Sequence, residues 1–292
     1  MKDGKLKTFL AASGAFFLSM VLLTMLIAML KGGGPSGTKI GVVEIDGMIS
    51  KPEEITKTLV DYGKRDDIKA VILRINSPGG AVGPSQEIYS EVLRLKKKKK
   101  VVASMGTVAA SGGYYIASAA DSIVANPGTI TGSIGVIVEF MNFEGLLSKL
   151  GLRGDVIKSG KFKDTGSPFK DMTPAERKYM QVLIDDVHDQ FIEAVATGRG
   201  MDKEEVRKLS DGRIFTGKQA LKEGLIDSLG SLTDAVDKVK EMAKIEGEHH
   251  LVYPVKKVSL LQAIAGEEAG AKITEIGQKN EFSIMYLFGG ID

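Results

Sequence analysis

Lys100-Val101-Val102-Ala103-Ser104-Met105-Gly106-Thr107-Val108-Ala109-Ala110-Ser111-Gly112-Gly113-Tyr114-Tyr115-Ile116 sets the architecture of this chain. Lys100 to Met105 is a β-branched and apolar run of the length expected for a buried strand. Small residues follow, and Tyr114 to Ala120 is compatible with a helix, so Ser111 falls at a strand-to-helix junction. A helix start leaves backbone N–H groups unpaired and carries partial positive charge. A hydroxyl held there is a nucleophile beside donors ready for an oxyanion. The same residues also read as a tight turn with Ser111 as an ordinary N-cap.

Outward from this run the chain alternates. Ile40 to Ile45 is β-rich, Ile55 to Tyr62 suits a helix, Ala70 to Ile75 is a second buried strand, and Ile88, Val92 and Leu95 recur at helical spacing within Ser85 to Leu95. Such alternation implies a mainly parallel sheet with crossover helices. The lysines from Lys96 to Lys100 read as a solvated helix end whose charge suits the dipole. Downstream, Ser122 to Ala125, Ile134 to Val138, Val156 to Lys158 and Leu225-Ile226 read as short strands, and Leu146 to Leu150 as a helix. Residues 159–172 have no periodicity and form a loop. Thr173-Pro174-Ala175-Glu176 then starts a long helix with cap, proline and capping-box glutamate in order, and Met180, Ile184, Val187, Phe191 and Val195 line one face. Asp202 to Glu205 and Thr216 to Gln219 mark two more helix starts, and Leu232 to Ala243 a last regular helix.

Phe9 to Leu30 carries no charge, and its 22 residues span about 33 Å as a helix, enough for a hydrocarbon core. Lys2, Lys5 and Lys7 precede it, which predicts one uncleaved membrane span with a cytoplasmic N-terminus and the rest of the chain outside. Residues 32–38 read as a linker. The domain plan is therefore 1–31 anchor, 32–38 linker, 39–245 main domain and 246–292 a C-terminal extension. A net charge of +2 argues against a nucleic-acid surface. The lack of cysteine removes disulfides, thiolate metal sites and a cysteine nucleophile.

The three histidines also fit a surface better than a base. His188 lies among Asp185, Asp186 and Asp189 on the long helix, and His249 and His250 lie in a charged segment. A Ser-His-Asp triad is thus poorly supported, and no metal-binding spacing occurs. A hydrolase must then use a lysine, which has to be desolvated or set near other cations to be neutral at pH 7. Lys161, Lys163 and Lys170 in the loop are candidates, and spacing does not choose among them. Asn76-Ser77-Pro78-Gly79-Gly80 follows a buried strand, where parallel sheets gather their sites. Its glycines either let N–H groups approach a substrate carbonyl or simply form a turn.

Taken together, Asn76 to Gly80, Met105 to Tyr115, Thr131-Gly132-Ser133-Ile134-Gly135, Gly160 to Asp164, Ser167-Pro168-Phe169, Met172 to Glu176, Gly212 to Ala220 and Gly224 to Asp227 resemble the signal peptide peptidase A family. The likeness runs in order from about residue 39 to 245. It implies an α/β fold of the Clp-protease/crotonase-like kind, a repeated β-β-α superhelix with a mainly parallel sheet, here preceded by one transmembrane helix. It also implies a serine endopeptidase with Ser111 as nucleophile, Lys163 as general base, Ser133 positioning the lysine, and the N–H groups of Gly80 and Gly112 as oxyanion hole. No cofactor or metal is expected. The expected partners are peptide substrates such as remnant signal peptides, the membrane, and further copies in an octameric ring or dome that share active sites between protomers; nucleic acid is not expected. Alternatives are a crotonase-like acyl-thioester enzyme, a stomatin-associated type of serine protease, and a non-catalytic ring scaffold. The segment Met285-Tyr286-Leu287-Phe288 carries no assigned role.

Overall fold

In the computed structural model, which describes residues 13–14, 16–26, 37–254 and 285–287, the quoted run becomes a central strand. β1 (Thr38–Ile49), β2 (Ile68–Ala81) and β3 (Lys100–Ala110) pair in parallel, in the order β3-β2-β1. Both faces are covered, which is why these strands read as nearly continuous apolar runs. Val71, Leu73, Val101 and Ala103 enter the larger core. That core contains residues of α2 (Glu53–Lys64), α3 (Val82–Lys96), α4 (Gly112–Ala117) and α6 (Pro174–Arg199). Ile72 and Val102, one residue out of phase, meet Ala235, Val236 and Val239 of α9 (Leu232–Ala243) in a smaller core.

β3 changes partner along its length. Val102 to Met105 pairs with β4 (Ser122–Ala125), and Val108 to Ala110 with β5 (Ile130–Gly132). Between the two, Thr129 Oγ1 donates to the Gly106 carbonyl at 2.7 Å, which satisfies a group that the partner change leaves out of the ladder. β6 (Ile214–Thr216) continues the sheet antiparallel to β5, and β7 (Ser228–Leu229) is parallel to β4. α5 (Glu144–Lys149), α7 (Lys203–Lys208) and α8 (Gly217–Lys222) are short helices joining these parts. The expected start of α6 is present: Thr173 and Glu176 close a capping box, and Gly200 ends the helix in the left-handed conformation.

Several elements differ from expectation. Asn76 to Gly80 is the extended end of β2, with Met48 and Ile49 of β1 beside Gly79 and Gly80. Ile134 to Val138 supplies one bridge, Ile137 to Met285, in place of a strand. Val156 to Lys158 has no strand partner among the described residues and Ile157 is fully exposed, so its apolar side chains suggest a burial that is not found there. Leu225 and Ile226 are buried without joining the ladder. α4 ends at Ala117, earlier than Ala120. His249 and His250 lie in β8 (His249–Val252), which extends the sheet in parallel beside β1.

Residues 16–26 are helical and form α1, with Phe16, Phe17, Leu22 and Leu26 exposed. Among the described residues no helix is long and apolar enough to cross a membrane. The remainder of the expected span at 9–30 lies outside the described residues.

One ion pair ties α6 to the segment before β7. Arg199 donates to both carboxylate oxygens of Asp227 at 2.9 and 2.7 Å, and from Nε to the Gly224 carbonyl at 3.1 Å. Burial pushes the Asp227 carboxyl up, but Arg199 pulls it further down, to a net position below its ordinary value. A depressed carboxylate contributes stability above the unfolded pKa, ~3.9, and loses it as pH falls through the folded value. Arg199→Met should therefore cost about 2 kcal/mol at pH 7, a figure discounted for the partly exposed carboxylate. Thermal melts should show a drop of roughly 4–8 °C at pH 7 that narrows below about pH 4. An equal drop at both pH values would assign the loss to packing alone.

Candidate active site

Ser111 stands between β3 and α4 with φ 51° and ψ −118°. Few non-glycine residues adopt positive φ, and such strain persists only where the surroundings over-determine it. Here the Ser111 N–H donates to the Gly132 carbonyl at 2.8 Å, and its own carbonyl accepts from Tyr115 N–H at 2.8 Å. Its Oγ is buried and has no hydrogen-bond partner among the described residues. A plain N-cap would use that oxygen on the first helical turn, and this one does not.

The glycines expected to flank it converge. A Cβ on Gly112 would lie 3.3 Å from the Gly80 nitrogen and 2.7 Å from Ser85 Oγ. A Cβ on Gly80 would lie 2.2 Å from the Ile49 carbonyl oxygen, so a side chain at this position is excluded by backbone. Upstream, Ser77 Oγ accepts from Gly79 N–H at 3.1 Å and donates to the Gly47 carbonyl at 2.6 Å, which fixes the bend leading to the pair.

Ser133 repeats the geometry of Ser111. Ala110 and Gly132 are register partners, so the two serines follow paired residues at matching ends of neighbouring parallel strands. Ser133 also has φ 51°, is nearly buried, and donates its N–H to the Arg213 carbonyl at 2.9 Å.

Lys163 stands apart. It is exposed, in the turns between Ser159 and Lys170, and its amine makes no hydrogen bond or ion pair among the described residues. The structure thus brings together Ser111, Ser133, Gly80 and Gly112 and does not join Lys163 to them. Among the described residues, no side chain hydrogen-bonds to the Ser111 hydroxyl.

Beside the serines lies a feature the sequence left unread. β9 (Met285–Leu287) runs antiparallel to the glycine end of β2, with Gly79, Gly80 and Ala81 opposite Leu287, Tyr286 and Met285. Met285 also exchanges backbone hydrogen bonds with Ile137 at 3.1 and 3.2 Å, so the segment is an extended peptide held on both edges. The Tyr286 ring is buried against Tyr115, 5.1 Å away and stacked, and against Phe191 at 4.6 Å; its hydroxyl donates to the Val187 carbonyl at 3.2 Å. Burial pushes the Tyr115 phenol up to about 12 and raises that of Tyr286 further, so both remain neutral donors. The tyrosine pair after Gly113 and the Met-Tyr-Leu segment were the available signals, but each alone reads as ordinary core.

Parallel strands under helices, glycines packed together beside a buried serine that has no hydrogen-bond partner among the described residues, and an extended segment paired along Gly79 to Ala81 suit the chemistry of a serine peptidase. Residues 42–127 match the Clp protease family and residues 93–246 match peptidase family S49. A Synechocystis protein named as a protease is 47 % identical over 199 residues, covering 68 % of this chain and 72 % of the relative. An Enterococcus faecium protein named as a signal peptide peptidase SppA is 36 % identical over 239 residues, covering 77 % and 70 %. Protease 4 of Haemophilus influenzae is 38 % identical over 214 residues, covering 70 % of this chain but 35 % of its own length. The chain belongs to peptidase family S49 and is a serine peptidase of the signal peptide peptidase A type.

Proposed function

We propose that this chain is a membrane-anchored endopeptidase that cleaves extended, largely apolar peptides, remnant signal peptides among them, with a Ser111–Lys163 dyad. The observation that carries the reading is the buried Ser111 hydroxyl, without a hydrogen-bond partner among the described residues, close to a strand end on which an extended segment is already paired. As Ser111 Oγ attacks the substrate carbonyl carbon, the Lys163 amine takes its proton, and the carbonyl electron pair moves onto an oxygen facing the Gly80 and Gly112 N–H groups. Collapse expels the leaving amine, which takes the proton from the Lys163 ammonium; water then attacks the acyl ester in the same manner. Ser133 holds the amine between these steps.

The exposed position of Lys163 and the unpartnered Ser111 support an arrangement in which each protomer lends its lysine to the next, as in a closed ring such as an octamer. The uncharged run at 9–30, with the exposed apolar side chains of α1, supports an anchor that places residues 39–245 at the outer membrane face and leaves 246–292 as an extension that returns to the site. A fluorophosphonate probe tests the assignment: it should label the assembled protein stoichiometrically and fail on Ser111→Ala, and equal labelling of both would remove Ser111 as nucleophile.

A further inference from the structure

The loop carrying Lys163 is held from both sides. On one side Phe162 stacks on Tyr179 of α6, with ring centroids 5.0 Å apart and planes 21° apart. On the other, Asp164 Oδ1 accepts from Lys158 Nζ at 2.5 Å, and its Oδ2 lies 3.6 Å from Lys170 Nζ. Lys170 Nζ in turn donates to Glu176 Oε1 at 2.5 Å. The second oxygen of Glu176 accepts from Thr173 N–H and Oγ1 at 2.9 and 3.0 Å, which locks that carboxylate into the capping box of α6. Both chain neighbours of Lys163 are therefore tied to one helix, while the exposed Lys163 amine makes no hydrogen bond or ion pair among the described residues.

We infer that Lys170, bridging Asp164 to Glu176, is a positioning residue that presents Lys163 to the serine it serves. This rests on the reading of Lys163 as base. The link is well placed for the task. The Glu176 side chain is 3 % exposed, that of Asp164 11 % and that of Lys170 28 %, so the bridge is shielded more than a surface pair. Its charges persist wherever the enzyme works: the Lys170 hydrogen bond, then the Thr173 N–H, hold the Glu176 carboxyl at about 2, and Glu176 holds Lys170 above its ordinary value. An amine displaced by about 1 Å from its reacting partner loses on the order of 10²-fold in rate.

The capping box allows a clean test. Glutamine at the third helical position still accepts from Thr173, so Glu176→Gln keeps the cap and removes only the charge facing Lys170. Lys170→Met removes the bridge from the other end, and Lys170→Arg retains it. Full-length assembled enzyme is assayed with an internally quenched apolar peptide, beside Lys163→Ala as reference, with assembly followed by light scattering. Expected are a fall in kcat of roughly 10- to 100-fold in Glu176→Gln and Lys170→Met, KM within about 2-fold of wild type, unchanged assembly, and recovery of most of the rate in Lys170→Arg. Near-normal kcat in both variants beside an inactive Lys163→Ala would overturn the positioning role alone. A loss that tracks disassembly, or that Lys170→Arg does not recover, would also overturn it. Normal turnover by Lys163→Ala would remove the base assignment, and the inference with it.

Discussion

Neither Ser111→Ala nor Lys163→Ala should cleave peptide measurably when assembled alone, each falling by at least ~10⁴-fold, yet the two mixed and reassembled should regain roughly a quarter of wild-type turnover. The recovery follows from where the two groups sit. Among the described residues, Ser111 is buried with no hydrogen-bond partner for its hydroxyl, and Lys163 is exposed with no hydrogen bond or ion pair to its amine. If each site takes its serine from one protomer and its lysine from the next, random assembly gives one site in about four an intact serine facing an intact lysine. Mixing before assembly should restore activity and mixing preformed rings should not. No recovery after co-assembly, with both variants folded and assembled, would place the two residues in one protomer's site or exclude Lys163 as base.

A second large effect is expected at Tyr286. Its segment lies along Gly79 to Ala81, where the proposed mechanism puts a substrate strand, and its ring packs against Tyr115 and Phe191. A tethered competitor acts at a high effective concentration, and burial of an aromatic side chain contributes about 2 kcal/mol. Tyr286→Ala should therefore raise kcat/KM toward short apolar peptides by roughly 10- to 30-fold. Tyr286→Phe, which keeps the ring and loses only the hydrogen bond to Val187, should rise by a few-fold. Unchanged kcat/KM in both, in chains of equal thermal stability, would show that the strand does not limit access.

The sequence told most where the signals were local. The apolar run from Lys100, the capping box at Thr173 and the spacing in α9 placed the starts of β3 and α6 and both ends of α9, whereas β3 runs on through Gly106 to Ala110, where small residues suggest a turn. Ser111 at its junction was equally legible, although its left-handed backbone was not, because that strain comes from the ladder to Gly132. Non-local pairing was harder to read. Pro78-Gly79-Gly80 has the composition of a turn, yet strands on both sides hold it extended. Val156-Ile157-Lys158 has strand-like composition and pairs with no strand among the described residues. β9 is three residues long and pairs across most of the chain, so no window of sequence contains the information. Only the family resemblance singles out Lys163 over Lys161 and Lys170, because all three share one aperiodic loop and spacing within it carries no information about which amine meets a serine.

Two serines at positive φ, side by side on adjoining strand ends, set stability against chemistry at the centre of this enzyme. Each costs on the order of 1–3 kcal/mol, which the buried α4 and the β3–β5 ladder must supply. Glycine at either position relaxes the backbone and removes a hydroxyl in the same change. With the roles proposed for Ser111 and Ser133, selection for a tougher fold and selection for turnover pull these two positions in opposite directions, and a more heat-resistant but less active descendant lies one substitution away.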